Sequence, residues 1–349
     1  MLYDLFDTEI TPLFASVLLG IGLGALFGAA AQISRFCLRR GVVEGPERSQ
    51  AAGVWLTALI VAVLGTQLTV WRGGLDFSEH RFFVSEIPAL AIAVGGLLFG
   101  AGMVLTRGCV SRLTVLSATG NLRAATVLVV FSIVAHATLK GLLAPIRVSA
   151  GSVTVDTGVV SLADLPGGAP LWTAAIVVGL GAIVWRSGAR PLHLALAAVI
   201  GALVPLGWFG TGIFLFDDFD PIALNSLSFT APWADTLFWS VASSAVPAGF
   251  GVGLVGGVLV GSFLSAAARG ELELQSFDAP RQTLRYVSGA GLMGFGGVLA
   301  GGCTVGAGLS GVPTLSFAAV LALLAIIVGA RITDRVLDRA PSGAAVPAE

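Results

Sequence analysis

Apolar residues fall along this chain in long blocks, separated by short stretches where arginine, aspartate and glutamate collect. A helix needs about 20 mostly apolar residues to cross a bilayer. Blocks of that kind predict spans over Phe14–Ser34, Ser49–Trp71, Pro88–Thr106, Asn121–Leu143, Leu171–Trp185, Pro191–Trp208, Thr236–Ala268, Tyr286–Gly302 and Pro313–Ala330. The seventh block is longer than one crossing needs, and Pro247 inside it predicts a break there. The pattern therefore describes an all-α polytopic membrane protein of nine spans, arranged as four, a linking helix at 171–186, and four more.

The polar stretches give this array a direction. Arginines mark the loop Arg35–Arg48, the turn with Arg107, Arg112 and Arg123, the turn with Arg186 and Arg190, the loop Arg269–Arg285, and the end with Arg331, Arg335 and Arg339. By the positive-inside rule these face the cytoplasm. Arg72–Ile87 with Asp76, Glu79 and Glu86, Ala144–Pro170 with Asp156 and Asp164, and Gly210–Asp235 with Asp217, Asp218 and Asp220 fall outside. The expectation is a cytoplasmic-membrane protein with its N-terminus outside and a short cytoplasmic tail, 334–349. The opening MLYDLFDTEITP has no basic n-region, so the first block reads as a spanning helix and not as a cleavable signal.

Two stretches repeat one another without a gap. Gly95–Cys109 reads GGLLFGAGMVLTRGC and Gly289–Cys303 reads GAGLMGFGGVLAGGC. Identical pairs are Gly95/Gly289, Leu98/Leu292, Gly100/Gly294, Gly102/Gly296, Val104/Val298, Leu105/Leu299, Gly108/Gly302 and Cys109/Cys303. Counted along the nine spans, the first copy enters from outside and the second from inside. The duplication is then inverted, with repeats over 14–144 and 191–331 of a single integral membrane domain. Transporters built this way hold their substrate near midplane, where broken helices of the two repeats meet.

Composition agrees with that class. Hydrophobic residues make up 56% and charged residues 11% of the chain, against about 25% charged in ordinary soluble domains. A net charge of -1 gives no reason to expect a nucleic-acid partner. The 47 glycines suit close helix packing and helix breaks, which membrane depth tolerates only inside protein or beside a water-filled cavity.

The candidate chemistry lies at Gly-Cys. Gly108 and Gly302 allow the backbone to leave the helix, and the residues beyond can turn free N–H groups toward an anion. In the second copy Thr304 adds a hydroxyl and the run to Gly308 predicts a flexible loop; in the first, Ser111 follows the cysteine and Arg107 precedes the glycine. Lys140 is the sole lysine, so anion binding would rest on amides, hydroxyls and arginines. Cys109 and Cys303 carry soft, polarisable sulfur suited to a ligand that presents sulfur or selenium. Cys37 sits in Ser34–Gly41 beside Arg35, Arg39 and Arg40; its counterpart region, 207–212, has no cysteine. A free cysteine in an apolar helix is more often a small buried hydrophobe, and the arginines are first of all topology signals. Duplication favours function for Cys109 and Cys303. A Cys109–Cys303 disulfide is open but not demanded. There is no CxxC or Cys/His metal pattern, no cofactor motif and no P-loop. His136 and Lys140 fit an interfacial position.

SRFC after the first helix, VLTRGC closing the first copy, and GLMGFGGVLAGGCTVGAGLSG in the second resemble the YeeE/YedE family of sulfur-transport membrane proteins, over nearly the whole chain. The resemblance implies nine spans with half-membrane helices dipping to the centre, and thiosulfate passed between thiols by transient S–H···S hydrogen bonds. It implies that Cys109 receives the anion from outside, Cys303 holds it centrally and Cys37 releases it inward. Thiosulfate or a related sulfur anion is thus the expected ligand, with membrane lipid around the protein and a cytosolic sulfurtransferase carrier as a natural partner. Two other readings stand beside this transporter without enzymatic activity. One is a membrane-embedded sulfur-transfer protein forming a persulfide at Cys37 or Cys303. The other is a structural protein in which the cysteines only pack.

Overall fold

A computed structural model of the chain describes residues 11–339, apart from 79, 84, 85, 157 and 218. The first ten residues, Glu79, Asp218 and 340–349 of the expected tail lie outside the described residues. Thirteen α-helices carry the fold: α1 (Pro12–Ser34), α2 (Leu38–Val42), α3 (Arg48–Trp71), α4 (Ala89–Leu105), α5 (Val110–Ala118), α6 (Leu122–Lys140), α7 (Ala144–Gly151), α8 (Gly168–Arg186), α9 (Pro191–Phe209), α10 (Thr230–Val241), α11 (Phe250–Arg269), α12 (Pro280–Leu299) and α13 (Phe317–Arg339). Among the described residues nine helical stretches are long and apolar enough to cross a membrane. They correspond to the nine blocks read from the sequence. The protein is a multi-pass, all-α membrane protein; its one small sheet pairs Glu86 and Ile87 with Asp156 and Val155, tying two loops together.

Three of the nine are interrupted. The α1–α2, α4–α5 and α12–Thr304 transitions each break the helix and restart it within one hydrophobic stretch. Elsewhere the helices are uninterrupted apart from a turn of π-helix, Gly210–Phe214, that ends the α9 span. Helix α8, the linking helix, buries none of its residues and leans on α3 at the rim.

Small residues set how the helices meet. On α1, Gly20, Gly24 and Gly28 lie against the backbone of Phe250–Ser262, while Gly253, Gly257 and Gly261 of α11 lie against Val17, Ile21 and Ala25. Contacts rise together along both helices, so α1 and α11 run parallel. Any side chain on these stripes would enter the facing backbone, which is how small-residue repeats let membrane helices approach closely. The two Gly-Cys helices meet in the opposite sense. Gly95 of α4 lies against Gly296 and Ala300 of α12, and Gly102 lies against Gly289 and Met293. Helices α4 and α12 are antiparallel. In addition α3 packs on α9, α4 on α13 and α6 on α12.

The structure departs from the sequence reading in its short elements. The expected turn between the third and fourth spans is mostly helix α5, and the expected external loop 210–235 ends in helix α10, which holds Asp235. The break near Pro247 falls between α10 and α11, so 236–268 is two helices. The expected flexible loop after Cys303 is instead an eight-residue π-helix, Thr304–Gly311, buried along its whole length. Helices α5 and α10 are too short to register as spans, and three glycines in eight residues argue against any helix; tertiary burial overrides both signals.

Candidate functional site

Each cysteine occupies the same local device. Arg35 (φ 53°), Arg107 (φ 59°) and Gly301 (φ 73°) adopt the left-handed conformation that ends a helix. Two residues later the chain is extended at Cys37, Cys109 and Cys303, and the next residue opens a new helix. All three cysteines therefore hold the N-cap position where a spanning helix breaks, although only the Cys303 thiol accepts a bond from its own helix. The left-handed residue precedes Gly108 in the first copy and Gly302 in the second, so the turn itself is made by Arg107 and by Gly301. The two cysteine-linked glycines act by size: a methyl on Gly302 would meet the Ala307 amide, and Gly108 is buried with its carbonyl accepting from the Thr106 hydroxyl at 3.0 Å.

The thiols are all free and buried. Cys37 and Cys109, far apart in sequence, face one another directly. The resemblance implied that Cys109 receives the anion and Cys37 releases it; in the fold these two thiols are neighbours. Ser111 Oγ lies 3.3 Å from Cys109 Sγ. Thr304 Oγ1 is buried against the same thiol and completes no hydrogen bond. The Gly306 amide donates to Cys303 Sγ at 3.3 Å, and Ser228 Oγ, also buried without a partner, sits over Gly306. The π-helical turn is a rare geometry that recurs at functional sites. Here it turns the Gly306 amide onto the Cys303 sulfur and the Thr304 hydroxyl toward Cys109.

Charge reaches this centre from side chains that the sequence reading took as loop or topology residues. Arg112, in the first turn of α5, lies within electrostatic reach of Cys37 and Cys109, and Arg39 of Cys37. Arg81, from the 72–88 loop, is the cation near Cys303. It lines an open cavity of about 470 Å³ together with Arg147, Phe82, Ala300 and Gly301. A second cavity of about 270 Å³, lined by Arg35, Arg40, Arg190, His193, Arg269 and Glu47, opens beside the α1–α2 break. Arg107 does not join the thiols; its charge stands beside Arg285. Of the sequence candidates, Cys37, Cys109, Ser111 and Thr304 come together, Cys303 lies next to Thr304, and Arg107 faces elsewhere. The signal that could have exposed Arg112 is its position three residues after a Gly-Cys, at the end of a helix that disfavours cations.

Outside the spans, burial pushes the His80 imidazole down to about 4, with the Arg81 charge adding to the shift. His80 packs edge-on against Trp208 at 5.2 Å, holding the loop that carries Arg81 to the bundle. Among the described residues no group of His, Cys, Asp and Glu is arranged to hold a metal.

Fold and site together define a multi-pass membrane protein with a buried, soft and cationic centre. The sequence profile for sulphur transport matches residues 33–332, and the chain belongs to that family. It is 27% identical to the thiosulfate transporter TsuA of Escherichia coli (strain K12), over 91% of this chain and 93% of that relative. It is 28% identical to the thiosulfate transporter TsuA of Spirochaeta thermophila, over 89% of this chain and 96% of that one.

Proposed function

We propose that the chain carries thiosulfate, or a closely related sulfur anion, into the cell across the cytoplasmic membrane, through a path lined by Cys303, Cys109 and Cys37. The observation that carries this reading is that each cysteine sits at a helix break as a free thiol, Cys37 and Cys109 against one another, among arginines and unpaired hydroxyls. Thiosulfate has a soft terminal sulfur and two negative charges. The sulfur suits S–H···S contacts, and the oxygens suit the amides, hydroxyls and guanidinium groups around them. Sulfate offers no soft end and would leave the thiols without a role.

The antiparallel packing of α4 on α12, the parallel packing of α1 on α11, and the order long helix, short helix, break in each half all support an inverted repeat whose axis lies in the membrane plane. With the arginine-rich loops inside, Arg81 and its cavity face outward and the cavity at Arg35 and Arg40 faces the cytoplasm, where a sulfurtransferase carrier could receive the anion.

Uptake of labelled thiosulfate by cells lacking their own route tests the proposal, with Cys37→Ala, Cys109→Ala and Cys303→Ala at matched membrane levels. Wild-type uptake that collapses in the Cys109 and Cys303 variants is the expected result. Uptake indifferent to all three would overturn the thiol path. Cysteine peptides carrying added sulfur during turnover would show a persulfide route in its place.

A further inference from the structure

The thiol pair has a feature that hydrogen bonding by sulfur does not explain. Arg112 brings a partly buried guanidinium to the thiol pair, where among the described residues its one hydrogen bond goes to the Ala31 carbonyl, at 3.4 Å. Among the described residues no carboxylate lies within ion-pair distance of it. The other charged groups acting on it are Arg35 and Arg40, which are cations as well, besides the thiols of Cys37 and Cys109. An arginine cannot shed its proton in a protein, so this charge cannot be relieved by neutralisation. A cation held partly out of water with no carboxylate beside it is stabilised by an anion that reaches it. Its place in the first turn of α5 adds to this, because a helix N-terminus already carries positive potential. No side chain caps that terminus.

We propose that Arg112 is the charge-selecting residue of the site: together with the open N-terminus of α5 it holds the oxygen end of a doubly charged sulfur anion, while Cys37 and Cys109 hold the soft sulfur end. This rests on the transport reading above and divides its specificity between two sets of groups. The thiols discriminate by softness. Arg112 discriminates by charge, because a dianion balances the guanidinium and the helix end together, whereas a monoanion leaves part of that positive potential unmet. The empty site is electrostatically incomplete, and the anion completes it.

The test uses the purified full-length protein in detergent, as wild type, Arg112→Lys and Arg112→Gln. Binding of thiosulfate (soft, doubly charged), thiocyanate (soft, singly charged) and sulfate (hard, doubly charged) is measured, together with thermal unfolding of each empty protein. Removing the charge should weaken thiosulfate at least about tenfold, the equivalent of losing one charge-assisted hydrogen bond, and change thiocyanate less than about threefold. The lysine variant should recover most of the lost thiosulfate affinity. The empty Arg112→Gln protein should melt no lower than wild type, since the charge it loses has no carboxylate partner among the described residues. A lowered melting temperature, an equal loss for both soft anions, or unchanged thiosulfate affinity would each overturn the assignment. Wild type that binds sulfate through Arg112 but not thiosulfate would refute the transport reading and leave the charge role standing; wild type that binds none of the three would refute both.

Discussion

The two copies of the Gly-Cys hairpin share a sequence and a backbone device, and they differ in how charge is supplied. In the first, α4 breaks at Arg107 and resumes as α5, a regular helix that carries Arg112 to the thiols on its own first turn. In the second, α12 breaks at Gly301 and resumes as the π-helix Thr304–Gly311, built from small and apolar residues with no charge at all. The cation near Cys303 arrives from another part of the chain, Arg81 on the 72–88 loop. One repeat carries its charge and the other borrows it. A duplicated scaffold can therefore keep its geometry while its two halves diverge in chemistry. Elsewhere, α2 opens at Cys37 and α10 at the buried Phe229, whose ring lies 5.3 Å from that of Phe27.

What the copies share should be hardest to alter. Gly102 of the first and Gly289 of the second face each other's backbone across the α4–α12 contact. Gly102→Leu and Gly289→Leu should each destabilise the protein by about 3 kcal/mol, the upper end of the usual overpacking cost, because the facing backbone cannot yield to the added volume. Loss of the folded fraction by fluorescence-detected size exclusion is the measure. If one variant folded normally and the other did not, the contact would not be the symmetric clamp described.

A smaller effect should separate the two copies, because a histidine bears on the second alone. His80 is held near 4 in the folded protein and returns to its ordinary value, about 6.5, on unfolding. Between those values the unfolded chain binds more protons, so stability rises with pH there. Acidification from 6.5 toward 4 should therefore destabilise the protein, with a slope approaching about 1.4 kcal/mol per pH unit. Thermal melting against pH would show it, and His80→Phe should flatten the curve over that window. A slope unaltered by the substitution would assign the acid sensitivity to other groups.

Much of this was legible in the sequence for identifiable physical reasons. Nine apolar blocks survive as nine spans because a bilayer leaves few other ways to bury a backbone. The repeat pointed to Cys109 and Cys303 because small residues and cysteine recur at the same register. What could not be read was proximity: nothing in Ser34–Gly41 says that Cys37 meets Cys109. Arg81 sat in a loop of mixed charge, and Arg112 in what looked like a turn. Gly301 looked like one glycine among many, although it holds the same left-handed place as Arg107. The resemblance implied half-membrane helices, but the residues that form them were hidden because their stability comes from burial between spans and not from their own propensity.

The finest distinction between the copies lies at that left-handed pair. Arg107 keeps a Cβ at φ 59°, where a non-glycine residue costs about 1–2 kcal/mol, whereas Gly301 occupies φ 73° without that penalty. A methyl on Gly301 would meet no atom, so Gly301→Ala isolates the backbone cost and should destabilise by about 1 kcal/mol. Arg107→Gly should relieve the matching strain in the first copy, offset in part by the greater freedom of glycine in the unfolded chain. Removing Arg107 also relieves its repulsion with Arg285. Arg107→Ala keeps the strain and removes the charge, so melting all three variants separates backbone from electrostatics. If Arg107→Gly and Arg107→Ala raised the melting temperature equally, repulsion alone would account for the first copy, and the likeness between the two breaks would be one of shape without shared strain.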